Sequence, residues 1–410
     1  MTDAIRLSRP QPVGILPVPV GLLVLPGEMS RDLLHECVAA QHRLPDCWSF
    51  YALAREGAWA QALEELRKCD GPIAAYNRFV LSPAADDLER LRGMLTGELR
   101  SLLEVAAYSL GLAEDAPSAE GLDGELLALA LMTQAVSSIE GGETLPAIAS
   151  LETAVAATRE VSPLFAAQLA AQLASLWRTQ PEPSCSKALT YYRHAIALMG
   201  EANMPEMRSE LWMQLGVACQ EQAHGRDDRM KEAVTAYQEV LRGGLVAEEH
   251  AELFALAHNN LGLLYLTMRM SEAGDQLRMA IAVQSFREGL RHCDRDKLPE
   301  LWSSIQLNLA NSLQYLTSSH PEENLVQAVE LYEELITVRK KAFDPVGYGR
   351  ILSNQANALA HLGIFPPALE KLQEARKLFE WHNERELAAS AMDLVGQIHE
   401  RVSVTSAGEN

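Results

Sequence analysis

Carboxamides are the side chains with the most regular spacing in this sequence. Gln168, Gln214, Asn260, Asn308 and Asn354 follow one another at intervals of 46, 46, 48 and 46 residues. One turn beyond the last two stand Asn311 and Asn357. A carboxamide offers one acceptor and two donors, so a row of them can bracket a peptide unit without reading its side chain. Each such bond contributes about 1 kcal/mol net. Groups suited to catalysis are scattered by comparison. No G-x-G-x-x-G, P-loop, H-E-x-x-H or G-x-S-x-G pattern occurs. Ser184-Cys185-Ser186-Lys187 matches S-x-x-K, but in a Ser/Pro-rich loop so short a match means little. His35, Cys37, His42 and Cys47 crowd together as zinc ligands can. On a helix, however, Cys37 points away from the face shared by His35 and His42, and tetrahedral zinc needs four converging ligands. That cluster reads as helix packing, and His258 and His292 read as isolated core or surface histidines. The expectation is therefore no catalytic residues, no metal and no cofactor.

The amides need elements to hold them at that interval, and the sequence supplies them. Directly after each comes a dipeptide ending in a small residue: Leu169-Ala170, Leu215-Gly216, Leu261-Gly262, Leu309-Ala310 and Gln355-Ala356. Each is followed by a second pair on one helical face: Ala188 and Tyr192, Ala233 and Tyr237, Ala282 and Phe286, Ala328 and Tyr332, Ala368 and Leu372. Gln134-Ala135 with Ala147 and Leu151 makes an earlier copy, and Trp48 to Gly57 with Ala62 and Leu66 a weaker one. Apolar residues recur at helical spacing within each half, as in Leu325, Ala328, Val329 and Tyr332. Each unit thus reads as two helices. The small residue lets the backbones approach, and the aromatic fills the gap beside it. Prolines 163, 183, 205, 299, 321, 345 and 366 fall between helices, and no alternating strand pattern follows residue 30. The interval from lead dipeptide to second-helix Ala is 13 in the first and last clear units and 18 to 21 in the four between. The interior units therefore have longer connections or longer helices. The segments in question are 180–186, 224–230, 268–278 and 318–324, expected along one edge of the stack.

Composition bounds the rest. The chain has 410 residues, 48% hydrophobic and 22% charged, so it can bury a large core. Its 35 basic and 55 acidic residues give a net charge of −20. That argues against non-specific binding to nucleic acid or to an anionic membrane surface. No run of apolar residues is long enough for a membrane span. Six cysteines without a C-x-x-C pair read as thiols, most of them buried, rather than a disulfide scaffold. Prolines 10, 12, 17, 19 and 26 alternate with aliphatics in the first 28 residues and break any signal-peptide helix. This stretch reads as an extended apolar arm of a cytoplasmic protein, either frayed or packed strand-like on the helical body. So many aliphatics are costly to leave in water, which favours packing.

The paired pattern resembles the tetratricopeptide repeat (TPR), whose first helix carries W-x2-L-G-x2-Y and whose second carries A-x3-F. Trp212-x2-Leu215-Gly216 and Leu261-Gly262-x2-Tyr265 quote it closely. The period of about 46 is longer than that family's usual 34 or so and resembles its long-loop bacterial arrays. The resemblance implies an all-α, TPR-like solenoid of stacked helical hairpins. The expected organisation is an arm at 1–28, a helical region at 29–125 with one weak hairpin, a solenoid at 126–383, a capping helix at 384–402 and a polar tail at 403–410. An amphipathic helix is expected over 90–112, and a linker over 114–124. The register and the capping helix predict that 126–402 folds alone.

In the TPR family the first helix lines the concave groove, and Asn at the matching positions binds the backbone or terminal carboxylate of an extended peptide. Carried over by position, the resemblance makes Asn259, Asn260, Asn308, Asn311, Arg350, Asn354 and Asn357 candidates for holding a partner. The other reading of the amides is that they tie neighbouring helices together. Only Arg350 is basic at a matching position; Met213, Leu307 and Asn259 stand where the family's clamp would have Lys. A neutral or basic peptide, or a helix, therefore suits the groove better than an acidic terminus. The cluster Arg339-Lys340-Lys341, at a helix C-terminus, is accounted for by the helix dipole. The function implied is a non-enzymatic interaction scaffold or adaptor, of an assembly-factor or chaperone-like kind. The alternative is a regulator in which a peptide or metabolite in the groove alters its hold on a partner.

Overall fold

A computed structural model of the chain describes residues 5–39, 44–200, 202–268, 272–338 and 343–408. Nineteen α-helices and no strand occur among the described residues. The first six are short: α1 (Arg31–Ala39), α2 (Ser49–Arg55), α3 (Trp59–Arg67), α4 (Pro72–Leu81), α5 (Ala85–Met94) and α6 (Gly97–Ser109). Then come α7 (Gly124–Glu140), α8 (Thr144–Thr158), α9 (Pro163–Arg178), α10 (Lys187–Met199), α11 (Pro205–Glu221) and α12 (Asp227–Arg242). The last seven are α13 (Ala251–Thr267), α14 (Glu272–His292), α15 (Pro299–Tyr315), α16 (Pro321–Val338), α17 (Pro345–His361), α18 (Phe365–Trp381) and α19 (Arg385–Gly408). Contacts divide the chain into two compact units, 1–218 and 219–410, the division falling within α11 and not in the segment 114–124.

The lead dipeptides all lie on the odd-numbered helices from α7 to α17, here termed A helices. The Ala-x3-aromatic pairs lie on the even-numbered B helices that follow. Ala188, Ala233, Ala282, Ala328 and Ala368 are fully buried, as are Tyr192, Tyr237, Phe286, Tyr332 and Leu372. The small residue does what the pattern requires. A Cβ on Gly262 of α13 would lie 2.5 Å from the ring of Phe286 on α14; outside the pattern, Gly349 of α17 makes a similar close approach, 2.8 Å from Phe379 on α18. In the second unit α13 also touches α15, α15 touches α17 and α17 touches α19. The A helices α13, α15 and α17, with α19, therefore form one continuous wall. These features make the fold an all-α, TPR-like solenoid of stacked helical hairpins.

Proline sets the helix starts: Pro163, Pro205, Pro299, Pro321 and Pro345 each open the helix that follows. Several boundaries differ from the sequence expectation. The first interior connection runs over 179–186, close to the expected segment, whereas α12, α14 and α16 begin earlier than expected, so that the second and fourth connections run only over 222–226 and 316–320. Asp227 and Asp228, and Glu322 and Glu323, belong to first turns, where the helix dipole favours acid. Most of the extra length in the third unit is the long helix α14. The single helix expected over 90–112 is broken into α5 and α6, since Leu95 and Thr96 are extended and Gly97 takes a positive φ of 64°.

In the first unit the residues before α1 are not frayed, and they form no strand. Gly14 N–H donates to Gly21 C=O at 2.7 Å, a 3-10 turn covers Val20–Leu22, and Val13, Ile15 and Leu22 to Leu25 are buried. The ring of Phe165 on α9 occupies the space a Cβ on Gly14 would need, and there φ is +77°. Arg9 pairs with Glu98 at 3.0 Å and with Asp123. Gln11 N–H donates to the buried carboxylate of Glu125 at 3.1 Å. Burial holds the Glu125 carboxyl above its usual range, partly offset by these hydrogen bonds and by Arg9.

Candidate functional site

The amides of the second unit form a ladder across its A helices. Asn308 Nδ2 on α15 donates to Asn259 Oδ1 on α13 at 3.0 Å, and Asn259 Nδ2 lies 3.5 Å from Asn260 Oδ1. One turn on, Asn354 Nδ2 on α17 donates to Asn311 Oδ1 on α15 at 2.9 Å. The hydroxyl of Tyr332 on α16 donates to the same Asn311 oxygen at 2.7 Å and accepts from Gln314 Nε2. Asn357 Nδ2 donates to Gln314 Oε1 at 3.1 Å. Asn260 bonds the hydroxyl of Tyr237 on α12, whose pKa is nevertheless raised by burial.

So Asn259, Asn260, Asn308, Asn311, Asn354 and Asn357 are brought together. Asn259 is buried; the other five are half-buried. Each A helix offers donors to the oxygens of the A helix before it. No group among the described residues donates to the side-chain oxygens of Asn308, Asn354 or Asn357, so each keeps accepting capacity toward the open side. The ladder thus joins successive A helices. Gln306 and Gln355 differ. Both are buried, and both bind a B helix: Gln306 reaches Leu331 C=O at 3.2 Å and Glu334 at 2.8 Å, while Gln355 reaches Val329 C=O at 3.3 Å and Glu333 at 2.7 Å.

Arg350 is exposed and lies on the rim of a recess of about 430 Å³ between α17, α18 and α19. Asn354, Asn357, Ser353, Ser390, Asp393 and Gln397 also line it. The hydroxyl oxygen of Ser353 is buried there without a hydrogen-bond partner. Gln314, Ser353 and Gln397 were not among the sequence candidates. The signal for Gln397 was present: Val395-Gly396 is one more lead dipeptide, and Gln397 stands after it where Asn311 and Asn357 stand after theirs.

Among the described residues, no group of three or more His, Cys, Asp and Glu could hold a metal. His42 lies outside the described residues, as do Arg339, Lys340 and Lys341; Cys37 is buried and Cys47 exposed. Burial raises the thiols of Cys37 and Cys293 to about 11, so neither is a nucleophile at neutral pH. His258 stacks on His292 with centroids 6.0 Å apart beside an apolar recess of about 350 Å³ between α12, α13 and α14. No helix among the described residues is long and apolar enough to cross a membrane.

No protein-family model and no curated protein matches this chain. Several solved structures resemble it. The crystal structure of BtubC (BKLC) from P. vanneervenii is 19% identical, with 62% of this chain and 92% of that one covered, at a TM-score of 0.40. A Rap protein complexed with competence and sporulation factor is 12% identical over 87% and 97%, at 0.37. The human IFIT1 dimer with PPP-AAAA is 14% identical over 90% and 94%, at 0.39. Likenesses at this level do not bear on what the chain binds.

Proposed function

We propose that the A-helix wall of α13, α15 and α17, with α19 at its end, holds an extended segment of a partner protein, and that the chain is a non-enzymatic scaffold or adaptor of the assembly-factor or chaperone-like kind. One observation carries this reading. Gln168 occupies in the first unit the repeat position that Asn260, Asn308 and Asn354 occupy in the second, and its Nε2 donates to the backbone carbonyl of Ile15 in the arm. The arm is a segment held in cis through a backbone carbonyl by an amide of this series. Asn77 on α4 holds it the same way, accepting from Val24 N–H at 2.9 Å and donating to Val24 C=O at 2.7 Å. The positions in the second unit have the same chemistry.

The cis segment also suggests the partner's character. Residues 10–26 carry no charge, and the one arginine immediately before them is met by carboxylates. A neutral or basic protein segment suits a chain of net charge −20. The same charge argues against nucleic acid and anionic membranes as partners. Six free cysteines fit a cytoplasmic setting. Asn259, Asn260, Asn308, Asn311, Arg350, Asn354 and Asn357 are the proposed contacts.

The test is affinity purification from the native host with the wild-type chain beside Asn308→Arg/Asn354→Arg, which fills the wall with bulk and charge. A partner identified by mass spectrometry should be held by the wild type and lost from the folded variant. Equal retention by both overturns the groove reading.

A further inference from the structure

The helix α19 is built as another A helix, and no B helix follows it among the described residues. Its lead dipeptide Val395-Gly396 lies as far from its start as Gln355-Ala356 does in α17. Matched position by position, Gly349, Leu352 and Ala356 of α17 correspond to Ala389, Met392 and Gly396 of α19. In α17 all three are buried. In α19 all three are exposed; Met392 is 54% exposed, and a Cβ on Gly396 would meet nothing within 4 Å. Beside them a recess of about 410 Å³ is lined by Ala388, Ala389 and Met392 with Glu380, Asn383, Arg385 and Asp393. Trp381, at the turn into α19, is 84% exposed. Helical surface of this kind, small and apolar and bordered by charge, normally carries another helix.

The charges indicate which helix. Arg385 and Asp393 are both exposed, and neither has an ion-pair partner among the described residues. They flank Ala389 at equal distances, about 6 Å to either side at 1.5 Å per residue. If two copies of α19 cross antiparallel about a two-fold axis at Ala389, Arg385 of each copy faces Asp393 of the other. The two alanines then meet at the axis, where their small side chains permit close approach. A two-fold interface requires just this self-complementarity. The pattern is specific to a second copy, since an unrelated helix would need only to match one end at a time.

The geometry points to a homodimer of this chain formed through the exposed faces of two α19 helices, with the Arg385–Asp393 pair made twice. Its second half, where His399 and Glu400 replace the leucine and alanine of α17, stays solvated. Asp393 also borders the recess holding Asn357 and Gln397, whereas Arg385, Ala389 and Met392 do not, so the oligomeric state is read separately from partner binding. One helix face is at the small end of specific interfaces, so a dissociation constant on the order of 10⁻⁵ M is expected.

Sedimentation equilibrium on the full chain tests this. The wild type should shift from monomer to dimer with concentration. Arg385→Asp alone and Asp393→Arg alone should each weaken dimerisation by about tenfold or more, because each places like charges opposite one another twice. The double variant Arg385→Asp/Asp393→Arg restores the pairing with its polarity reversed, and should dimerise within about threefold of the wild type. Met392→Lys should leave a monomer with an unchanged melt. A chain that stays monomeric throughout overturns the proposal. So does a dimer indifferent to the single reversals, or a double variant no better than either single one.

Discussion

The ring of Phe286 fills the volume that a side chain on Gly262 would take, with its nearest atom 2.5 Å from the ideal Cβ position. Both residues are buried at the centre of the α13–α14 hairpin, so helix propensity and packing compete directly at position 262. Replacing mid-helix Gly by Ala gains about 1 kcal/mol from the backbone. Forcing a methyl against a buried aromatic costs about 1–3 kcal/mol. Because the ring is fully buried, packing should win. Gly262→Ala is expected to lower the thermal midpoint, and Phe286→Leu in the same chain to recover part of the loss. A Gly262→Ala chain that melts higher than the wild type would show that the ring can yield.

The ladder makes a graded prediction for the amides. Asn311 accepts from both Asn354 and Tyr332, and the Tyr332 hydroxyl is otherwise enclosed. Asn311→Ala should therefore cost about 1–3 kcal/mol, the penalty for an unsatisfied buried donor. Asn308→Ala and Asn354→Ala each remove one half-exposed donor, so each should cost about 1 kcal/mol or less. Chemical denaturation of the three variants checks the order. An Asn308 loss as large as that of Asn311 would mean that the two are equivalent structural ties.

Acid should weaken the second unit through His258. Burial, together with repulsion from the stacked His292 and against attraction from Glu288, holds its pKa below the ordinary 6.5. The unfolded chain therefore takes up the proton first. Stability associated with this group is complete above pH 6.5 and falls as pH drops below that value. His258→Phe should flatten the decline of the melting temperature on the acid side of 6.5 and leave its value at pH 8 little changed. An equal acid slope in both proteins would assign the decline to other groups.

The arm should be indispensable to the first unit. Asn77 makes both of its bonds to Val24, and Phe165 packs against Gly14. Deleting residues 1–27 would uncover Phe165 and the buried faces of α4 and α9. The fragment 126–402, which the repeat register alone predicts to fold, should accordingly aggregate where the full chain stays in solution. Light scattering of the two at matched concentration decides it. A clear, cooperatively melting fragment would make the arm an accessory.

What could be read from the sequence was whatever repeats. Lead dipeptides and Ala-x3-aromatic pairs mark positions that are buried in every hairpin because every hairpin packs the same way. The structure adds a repeat the dipeptides do not announce: Tyr237 and Tyr332 each bond a glutamine, Gln220 and Gln314, standing five residues after the lead leucine of their own unit, although Ala174 stands there in the unit of Tyr192. Where the aromatic is Phe286, which has no hydroxyl to satisfy, that position is Leu266. Features decided by unique contacts were harder to see. The break between α5 and α6 depends on the positive φ at Gly97 and not on any loss of helical periodicity. The partners of the arm lie up to 153 residues away, at Gln168, and no local pattern specifies them. The amides were identified by position, but that they bond to one another across successive A helices emerges only once those helices are stacked.

The way the arm is anchored also sets an order of events during synthesis. Its aliphatic residues leave the ribosome early, yet Phe165 and Gln168 follow roughly 140 residues later. At about 5–20 residues per second, that is an interval of some 7–30 s. Throughout it Gly14 and Ile15 lack their partners on α9, although Tyr76 and Asn77 on α4 can already hold Leu22 and Val24, and the first unit cannot close. The nascent chain must be kept from clumping until α9 has emerged, so a slow ribosome or a shortage of holding chaperones should reduce the yield of this protein more than its finished stability would suggest.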